Sequence, residues 1–105
     1  VWLGICYLAA ENEKNDLEAL EVFKSAYIID PVNPKLLQYL ALTYARLNYP
    51  GLASLFTAER FFIAGEFKSA ESHAKKAERL LKKFSVEWQK AQDILHINSY
   101  IGENN

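Results

Sequence analysis

Residues 19–31 read ALEVFKSAYIIDP, and this stretch decides the fold because it sets small side chains and one aromatic ring on a single helical face. Ala19, Phe23 and Ala26 stand four and three residues apart, the spacing of neighbours on one side of an α-helix. Small residues at these positions let a second helix approach closely. The proline of Asp30-Pro31 then ends the helix, because the residue before a proline is disfavoured in helical geometry. The stretch therefore predicts one member of a packed helical pair.

Turn signals recur along the whole chain at intervals typical of helical hairpins. Asn15 followed by Glu18 predicts a helix start with a reciprocal cap, and Asn33-Pro34 predicts another, with the cap first and proline at the first helical position. Pro50-Gly51 predicts a break, and Ser85 predicts a cap. The predicted helices cover residues 1–12, 16–30, 34–48, 52–64, 67–84 and 86–100.

The predicted helix over 52–64 is apolar on every side, which indicates a helix buried in the middle of a stack. Its only charges, Glu59 and Arg60, are expected to be paired or to lie at the helix edge because an unpaired buried charge is costly. Asp93 is the expected partner of Arg60.

A second small-residue set, Ala70, Ala74 and Ala77, repeats the first, and Gly65-Glu66-Phe67 precedes it. Together these patterns resemble tetratricopeptide (TPR) repeats, helical hairpins of about 34 residues. The resemblance implies an all-α fold, a TPR-like stack of about six antiparallel helices in three hairpins (an α-solenoid), over residues 1–101 with a frayed tail at 102–105. The residues expected to pack the repeats are Ala19, Phe23, Ala26, Ala41, Tyr44, Ala70, Ala74, Ala77 and Trp88.

The two alanine sets lie 51 residues apart, from Ala19 to Ala70, and Leu37 and Trp88 are separated by the same interval. This interval is one and a half times a repeat of about 34 residues. The array is therefore expected to have gained or lost one helix between the two matches.

Residues 34–97 carry a more specific resemblance, in the runs GLASLFTAERFFIAGEFKSA (51–70), AKKAERLLK (74–82) and SVEWQKAQDIL (85–95). They are similar to the C-terminal TPR region of bacterial periplasmic zinc metallopeptidases related to the β-barrel assembly-enhancing protease. The resemblance implies a periplasmic module that engages substrate or outer-membrane assembly machinery. The family's zinc motif, His-Glu-x-x-His on a helix, is not in this sequence, so zinc is expected only in a separate catalytic domain.

Composition excludes several classes of function. The formal net charge is −1, with 50% hydrophobic and 24% charged residues, so no global field attracts nucleic acid or anionic lipid. The lysines near the end of the 67–84 helix alternate with Glu71 and Glu78 and indicate a solvated face rather than a nucleic-acid site. No segment reaches membrane length, so membrane insertion is not expected.

The chain contains no methionine and opens directly on an apolar segment, Val1–Ala10. Both features predict a piece of a longer protein, with an adjoining N-terminal domain covering that segment.

Catalytic and metal-binding residues are not predicted. His73 and His96 lack acidic or thiol ligands at metal-binding spacing, and Cys6 lies in an apolar run where a buried thiol is expected. The chain itself is therefore predicted not to be an enzyme and to need no cofactor.

The predicted function is binding of a protein or peptide in a groove of mixed polarity. The expected groove residues are Leu8, Glu11, Lys35, Gln38, Leu42 and Arg46. Two alternatives remain open: a stand-alone TPR adaptor or lipoprotein segment with no protease, and a self-contained helical enzyme.

Overall fold

The computed structural model describes residues 13–103 of the chain, and these residues form helices with no strand. The helices are α1 (Glu13–Ile29), α2 (Pro34–Arg46), α3 (Pro50–Ile63), α4 (Phe67–Leu80) and α5 (Val86–Glu103). The predicted all-α class is confirmed for this range. The predicted helix over residues 1–12 and the tail at residues 104–105 lie outside the described residues.

Two helix starts form as the sequence predicts. The Asn33 side chain accepts a hydrogen bond from the Leu36 amide at 3.2 Å, and Pro34 is the first residue of α2. The Ser85 hydroxyl oxygen accepts a hydrogen bond from the Trp88 amide at 3.1 Å, at the start of α5. Each cap satisfies an amide that has no partner within its own helix.

Two helix ends turn back through a residue with positive φ. After α3, Gly65 has a φ of +80°; its amide donates a hydrogen bond to Phe62 O, and the Glu66 amide donates one to Phe61 O. After α2, Asn48 has a φ of 66° and occupies the equivalent position. Its amide donates to Ala45 O, and the Tyr49 amide donates to Tyr44 O. Both are Schellman motifs, in which glycine or asparagine tolerates the left-handed backbone.

Three predicted boundaries are wrong. Asn15 lies inside α1, not at its start. Pro50 and Gly51 begin α3 instead of breaking the chain, because proline fits the first helical turn and Gly51 lets the end of α4 approach. Helix α4 ends at Leu80, because Leu81 is extended and Phe84 has a positive φ of 69°.

Helix α3 is the central helix, as the apolar pattern predicts. It contacts α2, α4 and α5 and contributes to both hydrophobic clusters. Phe56 joins the first cluster, with Ala19, Phe23, Leu36, Leu37, Leu40 and Tyr44. Leu55 and Ala58 join the second, with Ala70, Ala74, Ala77, Ala91 and Ile94. The alanines of the second cluster are fully buried, so α3, α4 and α5 approach closely there.

The helices alternate between two layers. Connections of three to five residues make sequence neighbours run antiparallel. Tyr27 of α1 packs on Phe56 of α3, with ring centroids 5.4 Å apart, and α3 also contacts α5. Helices α1, α3 and α5 therefore lie in one layer, and α2 and α4 lie in the other. The two alanine sets lie on α1 and α4, three helices apart, which accounts for their separation by one and a half repeats.

The remaining predicted packing residues are less deeply buried. Ala26 and Ala41 are half-buried against the first cluster. Trp88 is half-buried at the start of α5, and its ring meets Phe84 edge-on at 5.1 Å.

Candidate functional site

The predicted groove residues do not come together as one surface. Gln38 and Leu42 line a groove between α2, α3 and α4, whereas Lys35, although exposed on α2, is not among its lining residues. Leu8 and Glu11 lie outside the described residues. Arg46 is not among the residues that line this groove, so the structure does not bring it together with Gln38 and Leu42.

Arg46 instead forms an ion pair with Asp16 of α1. The Arg46 guanidinium lies 3.0 Å from Asp16 Oδ1, and the Asp16 side chain is only 7% exposed. A buried carboxylate needs such a partner because removal from water destabilises its charge. The Arg46 side chain therefore joins α1 to α2. The sequence could not show this, because Asp16 lies 30 residues away on another helix.

We call the space bordered by α2, α3 and α4 the α2–α3–α4 groove, with a volume of about 510 Å³. Its α2 wall includes Gln38, Leu42 and Ala45, and Leu42 remains 47% exposed. An exposed leucine in a concave wall offers an apolar contact that a bound side chain can cover.

The floor of this groove is formed by small residues of α3. Ala53, Ser54 and Thr57 succeed one another at helical spacing. The Thr57 hydroxyl donates to Ala53 O at 2.8 Å, so its donor is already satisfied within the helix. The side chains of this floor are therefore short, and one of its two hydroxyl groups is already used within the helix.

One end of the groove is cationic. Arg60 of α3 and His73 and Lys76 of α4 line it, and the twelve lining residues include no Asp or Glu. The Arg60 guanidinium carbon lies 4.7 Å from the Phe61 ring centroid, and the His73 ring stacks on Phe61 at 5.4 Å. Burial lowers the pKa of His73, and the nearby charges of Lys76 and Arg60 lower it further. Positive charge is thus concentrated at one end of the α2–α3–α4 groove.

A larger cleft of about 880 Å³ lies between α4 and α5, and several of its polar groups are partnered within the protein. Lys75 Nζ lies 2.9 Å from Glu71 Oε1, and Gln92 donates to the Glu78 carboxylate. His96 is exposed in this cleft. Both carboxylates of this cleft already have partners within the protein, and charges of both signs line it, which makes it the weaker candidate.

Glu59 lies on a different side of α3 and contacts α1. The Tyr27 hydroxyl donates to Glu59 Oε2 at 3.3 Å, and Lys90 of α5 lies 5.5 Å from the Tyr27 ring centroid. Burial and then Glu59 raise the pKa of Tyr27 to about 12. Burial also raises the pKa of Glu59, more than Lys90 and the Tyr27 hydrogen bond lower it. Glu59 is therefore paired, as expected.

The predicted pairing of Arg60 with Asp93 is wrong. Asp93 accepts a hydrogen bond from Gln89 on its own helix at 3.1 Å, whereas Arg60 faces the α2–α3–α4 groove. Sequence reasoning singled out Arg60 but missed Lys76 and His73 as its neighbours. The signal that could have found Lys76 is local: no acidic residue lies three or four positions from it.

Among the residues that the structure describes, no group of three or more His, Cys, Asp or Glu side chains could hold a metal ion. In the same part of the chain, no helix has both the length and the apolar character needed to cross a membrane. Comparisons with protein-family models, with curated proteins and with solved structures found no match.

Proposed function

We propose that this chain is a protein-binding module that holds a segment of another protein in the α2–α3–α4 groove. The observation that carries the proposal is the groove itself: an exposed Leu42 on one wall, a floor of small residues, and cations at one end. Apolar contact with a few placed polar groups is typical of sites that take an extended or helical peptide. The floor offers no nucleophile paired with a base, so binding is favoured over catalysis.

We further propose that the array is of TPR type and belongs to a periplasmic zinc metallopeptidase, as its non-catalytic C-terminal part. The support is the sequence resemblance over residues 34–97 and the full burial of Ala70, Ala74 and Ala77, the positions that the repeat pattern requires. Zinc would then belong to an adjoining N-terminal domain, because the described residues offer no donor cluster for it. The alternative is a TPR adaptor or lipoprotein segment without a protease. The proposal that the α2–α3–α4 groove binds a protein segment is the same in either case.

The binding proposal is tested by selecting ligands from a random peptide library displayed on phage against the purified chain. We expect recovery of binding clones, and Leu42→Asp should abolish their binding because it introduces a charge on the apolar wall. Leu17→Asp is the matched control, since Leu17 is 49% exposed on α1 and Leu42 is 47% exposed on α2. Equal loss in both variants, or no recovered clones, would contradict a ligand site in this groove.

A further inference from the structure

The α2–α3–α4 groove carries two cations, Arg60 and Lys76, that have no carboxylate partner among the residues that the structure describes. Within residues 14–101, no carboxylate pairs with Arg60 or with Lys76. Positions three and four residues away on either side of both cations carry no acid, so no helical neighbour can supply one. The one carboxylate next to Arg60 in sequence, Glu59, is hydrogen-bonded to Tyr27 on another side of α3.

Lys75, the residue before Lys76 on α4, differs from Lys76 because it has a carboxylate partner. Lys75 pairs with Glu71 at 2.9 Å and faces the α4–α5 cleft. Lys76 and Arg60 instead line the α2–α3–α4 groove together with His73, whose pKa is lowered first by burial and then by their charges. Two like charges held near one another repel, and a ligand carboxylate placed between them relieves that repulsion.

We propose that the segment bound in the groove is acidic, with side-chain carboxylates at Arg60 and Lys76 and an apolar side chain against Leu42. This inference rests on the proposed peptide-binding function and adds the chemical class of the ligand. The small residues of the floor admit a peptide backbone, while the walls supply one apolar contact and one cationic contact. Electrostatic complementarity of this kind selects partners as well as holding them.

The test uses the same selected peptide clones. We expect Asp and Glu to be enriched over the input library in clones that require Leu42. A selected sequence is then synthesised with acetylated and amidated ends, so that only side-chain carboxylates can act. Its affinity is measured by fluorescence anisotropy against a copy in which every Glu and Asp is replaced by Gln and Asn.

The acidic peptide should bind Arg60→Gln/Lys76→Gln about tenfold more weakly than the unsubstituted chain, as two partly exposed ion pairs predict. Lys75→Gln, with the same change of charge one residue away, should stay within about twofold. The neutral peptide should bind the unsubstituted chain and the double variant equally well. Raising the salt concentration should reduce the difference between the two peptides, because screening weakens exposed ion pairs.

The possible failures are distinguishable. Clones that require Leu42 but show no acidic enrichment would overturn the acidic ligand and leave the binding function standing. Equal affinity of the acidic and neutral peptides would do the same. Clones whose binding does not require Leu42 would overturn both the acidic ligand and the proposed binding function of this groove. A circular dichroism melt of the double variant establishes that any loss of affinity comes from a folded protein, and Lys76→Gln alone, at an exposed position, repeats the measurement without disturbing α3.

Discussion

At the residue scale, Glu59 is a carboxylate whose titration depends on the fold. Burial raises its pKa, so the folded chain favours the protonated form relative to the unfolded chain. Burial destabilises the charged carboxylate by removing it from water, whereas protonated Glu59 is uncharged and avoids this cost. The free energy of unfolding should therefore fall as pH rises from the ordinary Glu value through the raised folded value, and the loss should be complete above it.

Glu59→Gln should consequently stabilise the chain at pH 7 and have no such benefit at pH 4, because Gln has no charge to desolvate and its oxygen still accepts from Tyr27. Urea unfolding at the two pH values measures the difference. Glu21→Gln, at an exposed position of α1, is the control and should change stability by less than about 0.5 kcal/mol. A greater stability of the unsubstituted chain at pH 7 would show that Lys90 and Tyr27 outweigh burial.

Asn48 offers a second test at this scale. It holds a φ of 66° in the turn after α2, where only glycine is free of steric cost. Asn48→Ala should reduce the free energy of unfolding by about 1 kcal/mol, whereas Asn48→Gly should be neutral or slightly stabilising. Thermal melting of both variants checks this, and equal behaviour of the two would mean that the turn relaxes out of the left-handed region.

At the element scale, α4 packs through a stripe of alanines. Ala74 has no exposed surface and lies in the cluster shared by α3, α4 and α5. Ala74→Phe should overpack this contact and lower stability by about 1–3 kcal/mol. Ser72→Phe, an exposed position on the same helix, is the matched control and should change stability by less than about 0.5 kcal/mol. An unchanged melting temperature for Ala74→Phe would mean that the stripe does not face another helix.

The contact between α1 and α2 includes a buried charge pair beside the first hydrophobic cluster. Arg46→Met leaves Asp16 buried without this cation and should lower stability by about 3 kcal/mol. Adding Asp16→Asn should recover part of that loss, because the unpaired charge is then gone. Lys35→Met, an exposed lysine on the same helix, is the control. If Arg46→Met and Lys35→Met unfold alike in urea, the pair does not hold α1 in place.

Local signals predicted the helices well because caps and proline act within one turn of chain. Asn33, Ser85 and Gly65 each mark a boundary by a hydrogen bond or a backbone angle of their own. Pro50 misled the prediction, because the same residue that breaks a helix interior is favoured at a first turn. Polarity around Asn15 indicated a turn where the chain is helical, since a solvated helical face has the same composition.

At the scale of the whole molecule, the site was less predictable than the helices. The pattern along α2 assigns Gln38 and Leu42 to one face by helical periodicity, and both line the same groove. It could not show that Arg46 pairs with Asp16, or that Arg60 and Lys76 line one groove, since both depend on how separate helices are rotated against one another. The first cluster sets the rotation of α1 against α2, and the alanines of the second set the rotations of α3, α4 and α5; both are long-range properties.

The most direct measurement of the central claim is an amide NMR titration of the isotopically labelled chain with a selected, end-blocked peptide. Binding in the α2–α3–α4 groove predicts shift changes clustered at residues 38–45, 53–60 and 73–76, with the amides of residues 92–99 in the α4–α5 cleft unchanged. Leu42→Asp should remove the changes and Leu17→Asp should preserve them. Shifts centred on the α4–α5 cleft, or spread evenly over the five helices, would contradict a ligand site in this groove.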